Sequence, residues 1–453
     1  MLTTLPAWRG SSRRQALALV LVMLLVLPAV LLMAISPARA DVVRATEQWV
    51  LNELNIQPAW RVSQGKGITV AVIDSGVDPH VSDLVGSVRE GRNFSGVRTR
   101  PSNPDWGVHG TWMASLIAGH GHDGGGSGII GTAPQSTVLS IRVITDPQDP
   151  HYAQYEHESA QQGQNELAEG ITYAVAHHAE VISMSLGYNL ASAAVRSALQ
   201  DAYRHNVVVV ASAGNSGNAA GADGTGNAPY SFPANYPGVL AVAAVNSAGQ
   251  VQSFSSENLS VQVAAPGYRV PAQGRDGQYW YVSGTSPACA LTAGVVALIK
   301  ARYPHLTDPQ VISAITSSTT RSTRPRGGYD EQIGFGVVNA GAAMTAAGKL
   351  AAARPGQFGL SAARHFGGGQ AAIPPEPVTP RGETSLALYC VLGLACLALV
   401  ALATSKLLVA SPVPTDRRGE RADDGQPAGS GGEPGDDGSS GSGRGHGHHE
   451  ARP

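Results

Sequence analysis

Between residues 68 and 347 the sequence repeats one pattern, a short run of branched apolar residues followed by a longer stretch with helical spacing. No other feature restricts the fold so much. Runs stand at 68–73, 137–143, 181–184, 207–211 and 239–245, and several are apolar at every position rather than at alternate ones. A strand that is apolar on both faces must be covered on both, as in a parallel sheet between two helix layers. The stretches 109–118, 165–177, 191–204, 287–302 and 307–317 have helical periodicity. The fourth stops before Pro304, and the fifth opens with Thr307 as N-cap and Pro309 in its first turn. The pattern predicts an α/β fold with a mostly parallel sheet and helices on both faces. Residues 146–164, rich in Gln, His and acidic side chains, interrupt the alternation and read as a solvated surface loop. His151 and His157 within it lack the close spacing of a metal site, and no cofactor is expected.

The two ends of the chain carry an address. Residues 16–35 form an apolar run preceded by Arg13 and Arg14 and followed by Ala38-Arg39-Ala40, the arrangement of a signal peptide cut before Asp41. Residues 385–410 are long and apolar enough to cross a bilayer. Lys406, Arg417, Arg418 and Arg421 on their C-terminal side place the tail in the cytoplasm and the bulk of the chain outside. Two of the three cysteines, Cys390 and Cys396, fall in that span and leave Cys289 alone in the exterior part, which must therefore be held together by burial. Of 453 residues, 43% are hydrophobic and 14% charged, with a formal charge of −2. Such a balance supplies no field to draw in a nucleic acid.

Four short segments stand where the alternation puts strand ends and helix starts. Asp74 closes the first run in Val-Ile-Asp-Ser-Gly-Val, and His109 opens a helix in His-Gly-Thr-Trp-Met-Ala-Ser. Asn215 follows an apolar strand in Ala-Ser-Ala-Gly-Asn-Ser-Gly. Ser286 sits in Ser-Gly-Thr-Ser-Pro-Ala, a turn running into an apolar helix, with Pro287 expected at the first helical position. Each alone has an ordinary structural reading as a turn, a cap or a helix entrance. Together they are the parts that acyl transfer needs: a nucleophile, a base, an acid that orients the base, and a donor for the developing oxyanion. The chain order Asp, His, Ser is the one that general accounts of such triads give for subtilisin, unlike the orders of chymotrypsin and the α/β-hydrolases.

At these residues the sequence resembles the subtilisin-like (S8) serine peptidases over about residues 67–343. That resemblance implies a subtilisin-like sheet, catalytic roles for Asp74, His109 and Ser286, and an oxyanion-hole role for Asn215. It also implies that Ser185-Leu186-Gly187 and Ser212-Ala213-Gly214 are edges on which a peptide substrate pairs as an added strand, and that residues 334–340 close the domain. Val108 and Pro287 replace residues more usual in the family. The layout is similar to that of the mycosins of type VII secretion: signal peptide 1–40, extension 41–66, peptidase domain 67–350, Pro/Gly-rich stalk 351–384, membrane helix 385–410 and disordered tail 411–453. Trp49, Leu51, Leu54, Ile56 and Trp60 are expected to anchor the extension. Expected partners are a protein or peptide substrate, a membrane and components of a secretion complex. The alternative reading is a catalytically weak scaffold of such a complex. A small-ester hydrolase would carry Gly-x-Ser-x-Gly at its nucleophile, and residues 284–288 read Gly-Thr-Ser-Pro-Ala.

Overall fold

A computed structural model describes residues 38–162, 164–217, 228–320 and 328–353. Most of the expected signal sequence and stalk, and all of the membrane span and tail, lie outside the described residues. Among those described, no helix is long and apolar enough to cross a membrane.

Seven strands, β1 (Thr69–Asp74), β2 (Val88–Asn93), β5 (Thr137–Arg142), β6 (Val181–Met184), β7 (Val208–Ser212), β8 (Leu240–Val245) and β9 (Val261–Pro266), form the main sheet in the order β2-β5-β1-β6-β7-β8-β9. Every neighbouring pair in it is parallel. The two-residue alternation divides β1 between two cores: Val70 and Val72 face one, Ala71 and Ile73 the other. Two antiparallel hairpins flank the sheet: β3 (His120–His122) with β4 (Ser127–Ile130), and β10 (Val270–Gln273) with β11 (Tyr279–Val282).

Helices α3 (Val108–Ala118) and α7 (Thr285–Arg302), with α8 (Asp308–Thr316) and α9 (Ala340–Ala352), build the first core, while α5 (Asn165–Ala176) and α6 (Ala193–Arg204) build the second. In α7 every residue from Pro287 to Lys300 is buried, which accounts for a sequence apolar all round rather than on one stripe. Lys300 takes its charged end to the carbonyl of Asn206, 3.1 Å away, so the buried ammonium keeps an acceptor.

The extension forms α1 (Ala38–Glu53) and α2 (Ile56–Trp60). Leu51, Leu54 and Ile56 are buried in the first core and Trp49 and Trp60 pack against its rim. Trp60 Nε1 donates to Thr132 O at 2.8 Å, and Ala340 N donates to Leu54 O at 2.8 Å. That second bond ties the extension to the start of α9, which runs two residues past the expected boundary at 350.

One expectation is corrected. Residues 146–164 contain α4 (Tyr152–Gln162), in which Tyr155, on the same side as Tyr152, is buried. Ahead of α4, Gln148 and His151 are exposed, but Asp146 and Asp149 are buried: Asp149 accepts from Arg142 Nη2 at 2.9 Å and from Thr99 Oγ1 at 2.7 Å. A charged residue reads as surface in a sequence because burial and pairing are set by the fold and not by residue type. Strand β2 was also absent from the expected set. Its Arg89, Glu90 and Arg92 give it no apolar run, and it pairs with β5 alone, as a sheet edge.

Glu47 on α1 provides a test of how the extension docks. Both its carboxyl oxygens accept from Ile130 N, at 3.0 and 3.2 Å, and Arg44 lies 3.6 Å away. Burial pushes its pKa up to about 8, against the Ile130 N–H and Arg44, which lower it, and with a small contribution from Asp83, which raises it. A carboxyl whose pKa rises on folding stabilises the fold below its unfolded pKa, and that contribution is lost as pH rises through the folded value. Glu47→Gln keeps an acceptor and removes the charge. Its melting temperature should therefore gain on wild type as pH goes from about 5 to about 9. A difference that stays constant over that range would show that Glu47 is ionised throughout.

Candidate active site

From β1 the sheet grows outward through β5 and β2 on one side and through β6 to β9 on the other. Strand order thus reverses beside β1, and the crevice beyond the C-terminal ends of β1 and β6 is the place where such sheets bind ligands. Asp74 is the last residue of β1, residues 185–187 follow β6, and Ser212 ends β7 ahead of Ala213, Gly214 and Asn215. Helices α3 and α7 begin at this same end, so residues expected from separate segments are brought together.

His109 Nδ1 lies 2.8 Å from Asp74 Oδ1 and 3.0 Å from Oδ2. Asp74 is buried while the His109 side chain keeps 27% exposure, so the carboxylate sits behind the ring and the ring faces the crevice. Ser75 N also donates to Asp74 Oδ1, at 2.7 Å. Burial is the largest influence on the imidazole and lowers its pKa. The charge and hydrogen bond of Asp74, and beyond them the charge of Asp146, outweigh it and hold the value above the ordinary 6.5.

The start of α3 is fixed from outside the helix. Its N-cap, Gly107, has φ 68° and no side chain to offer. Instead Asp146 accepts from Val108 N at 2.9 Å and from His109 N at 3.1 Å, and Ser75 Oγ accepts from Gly110 N at 3.1 Å. These satisfy the first N–H groups, which have no partner inside a helix. Gly110 permits the fit, because a Cβ there would overlap the Gly76 carbonyl oxygen.

At the other wall, α7 begins two residues earlier than expected. Thr285 is its first residue, Ser286 its second and Pro287 its third, so the proline still falls among the positions whose N–H has no intrahelical use. Ser286 Oγ is 3.5 Å from Ser185 O, and Ser185 Oγ donates to Ser286 O at 3.2 Å. Asn215 Oδ1 accepts from both Thr285 N and Thr285 Oγ1, each at 2.9 Å. Its carbonyl end is thereby committed, which leaves Nδ2 as the end of the amide that can donate elsewhere. Gly284, with φ 150° and ψ 176°, leaves open the space before that amide: a Cβ on it would stand 3.3 Å from Asn215 Nδ2.

Of the two expected substrate edges, Ser185, Leu186, Ser212 and Ala213 are buried. Gly187 and Gly214 both face Ser231, which a Cβ on Gly187 would strike and a Cβ on Gly214 would approach to 3.1 Å. Sequence reasoning did not find Ser231, Ser75, Asp146 or Thr285. Thr285 and Ser75 adjoin the expected Ser286 and Asp74, so adjacency was an available signal, whereas Asp146 and Ser231 reach the site only through the tertiary fold.

Cys289 lies one turn after Ser286 but points inward, fully buried, with Sγ 3.6 Å from Met184 O and 3.7 Å from Ser183 Oγ. Burial pushes its thiol up to about 11. A buried, neutral thiol is unreactive. Iodoacetamide should leave native Cys289 unmodified and alkylate it only in denaturant, as read by mass spectrometry of the peptide. Rapid alkylation of the folded protein would place Cys289 on the crevice side of α7.

The family model of the Subtilase family, Peptidase_S8, matches residues 65–336. Subtilisin from Bacillus pumilus is 34% identical over 256 residues, which are 56% of this chain and 85% of that protein. Subtilisin E from Bacillus subtilis is also 34% identical over 256 residues, and there the chain spans 61% of its relative's length. Among solved structures, MycP1 from Mycobacterium smegmatis superposes with a TM-score of 0.53 at 29% identity, over 65% of this chain and 84% of that one. MycP3 protease from the type VII (ESX-3) secretion system gives 0.51 at 28% identity, over 65% and 87%. With a family model covering more than half its length and a strand-end Asp bonded to a helix-start His at the switch point of the sheet, this chain belongs to the subtilase family and is a subtilisin-like serine peptidase.

Proposed function

We propose that Ser286 is the nucleophile of an endopeptidase, with His109 as its general base, Asp74 orienting and charge-balancing the imidazole, and Asn215 donating to the oxyanion. The pair of contacts between His109 Nδ1 and Asp74 carries this reading. With Nδ1–H donated to the carboxylate, Nε2 is left with its lone pair, the state a base requires. A peptide laid along 185–187 and 212–214 presents its carbonyl to Ser286. For the transfer the hydroxyl turns from Ser185 O toward Nε2. As Oγ attacks the carbonyl carbon, its proton passes to Nε2 and the imidazolium is stabilised by Asp74. Charge forming on the carbonyl oxygen meets Asn215 Nδ2 and the Ser286 N–H in the first turn of α7. Collapse expels the amine with the proton from Nε2, and water then releases the acyl group by the same steps.

The proposal extends to the cell. The chain acts outside the cytoplasm, held by residues 385–410, in association with a type VII secretion system. The apolar span and the signal-like N-terminus support the anchoring, and the similarity to MycP1 and MycP3, which come from the ESX-1 and ESX-3 type VII secretion systems, supports the setting.

A fluorophosphonate probe should label Ser286, and Ser286→Ala should abolish labelling; an adduct mapped to another serine would overturn the assignment. Asn215→Ala should lower kcat by about 10²–10³ with KM nearly unchanged, since its bond is made only in the transition state. An effect confined to KM would make it a substrate-binding residue. In cells, a chain ended before residue 385 should be released into the medium, whereas retention in the membrane fraction would show that some other segment anchors it.

A further inference from the structure

The carboxylate of Asp146 is 5% exposed and is drawn on by three donors. Val108 N and His109 N each reach a different oxygen. The third is the Ser75 hydroxyl, which accepts from Gly110 N through its oxygen and so has its proton free to give. All three partners are donors, the pattern that favours an anion. The residue belongs neither to α3 nor to the Asp74 strand. It approaches from beyond β5, 37 positions along the chain from His109.

We propose that Asp146 is a positioning residue of the catalytic centre: a second buried carboxylate that fixes the start of the His109 helix and, by its charge, sets the basicity of His109. Asp74 holds the ring from Nδ1, and Asp146 holds the backbone that carries the ring. When His109 takes the proton of Ser286, two anions rather than one balance the imidazolium.

Burial, the largest influence on Asp146, raises its pKa. The charge of His109 lowers it, Asp74 raises it, and the His109 N–H and Ser75 hydroxyl lower it, leaving a net upward shift. His109 in turn feels Asp146 as an upward influence after those of Asp74. From β1, the charged group facing His109 is Asp74; from its own helix it meets the Trp112 ring edge, with centroids 6.3 Å apart. From α7 the titratable group is Cys289, whose thiol is neutral below about 11. Arg142 on β5 is the cation that senses Asp146, and its guanidinium is bonded to Asp149 at 2.9 Å. Asp146 is therefore the anion beside His109 that can be removed without touching the Asp74 bond.

The proposal rests on His109 being the base, and the test reads that first. Labelling of the full chain by a fluorophosphonate is followed from about pH 5 to about pH 9. Wild type should label at Ser286 with an acid limb set by His109; labelling elsewhere, or no acid limb, would remove the triad reading itself. In Asp146→Asn the midpoint of that limb should fall by about one pH unit, and the plateau rate by about three- to tenfold, as expected from removing one buried charge that is bonded to the His109 backbone N–H. A plateau that falls while the midpoint stays would make Asp146 a structural cap only, and unchanged labelling would leave it no role; either result overturns the proposal. Asp146→Ser, which keeps an acceptor and drops the charge, carries the same expectation if the Asn variant does not fold. In wild type, the ¹³C resonance of the Asp146 carboxyl should inflect at the labelling midpoint because the coupling is mutual, and a flat titration there would overturn the proposal without any variant.

Discussion

The hydrogen bond between His109 Nδ1 and Asp74 joins a strand end to a helix start, and it exists only if both are held. Asp74 is held because β1 is an interior strand of the sheet, paired in parallel with β5 and β6 and apolar on both faces. His109 is held because α3 packs its following residues into the first core and has its leading N–H groups taken by Asp146 and Ser75. A buried carboxylate with an imidazole at its mouth costs desolvation that only fixed, charge-assisted hydrogen bonds offset. The sheet, the helix cap and the close approach allowed by Gly110 are the means of fixing them.

The same logic governs the opposite wall. An amide used for an oxyanion must face a space that is empty until the transition state forms, and it gains nothing if it can rotate. Thr285 takes both lone pairs of the Asn215 carbonyl and accepts from Gly214 N at 3.2 Å. One threonine thus ties the end of β7 to the start of α7, which links the amide and Ser286 in one rigid piece. Dispersed polar residues in an apolar interior are here the supports of the reacting groups, and each has its partners.

The extension is part of the same body. It is short, yet Leu51, Leu54 and Ile56 are completely or almost completely buried, and Trp60 bonds to the segment that α7 packs against through Thr132 and Leu291. Within the described residues no disulfide assists this, since Cys289 is free, and cohesion comes from the two cores on either side of the sheet.

The strands at 69–74, 137–142 and 181–184, the buried helix beginning near Ser286 and the order of Asp74, His109, Asn215 and Ser286 were legible in the sequence, because each rests on contiguous residues: an apolar run, a glycine turn, a cap. Edge strand β2 and helix α4 were not, because their charged and polar residues form no apolar run and the contacts that make them regular come from other segments of the chain. What the sequence alone determined was the sheet class, and it put forward the groups that we propose for acyl transfer. Which residues surround those groups was decided by tertiary structure alone. Asp146, Ser231 and the exposure of His109 depend on distances between segments tens of residues apart, and no local propensity encodes a distance of that kind.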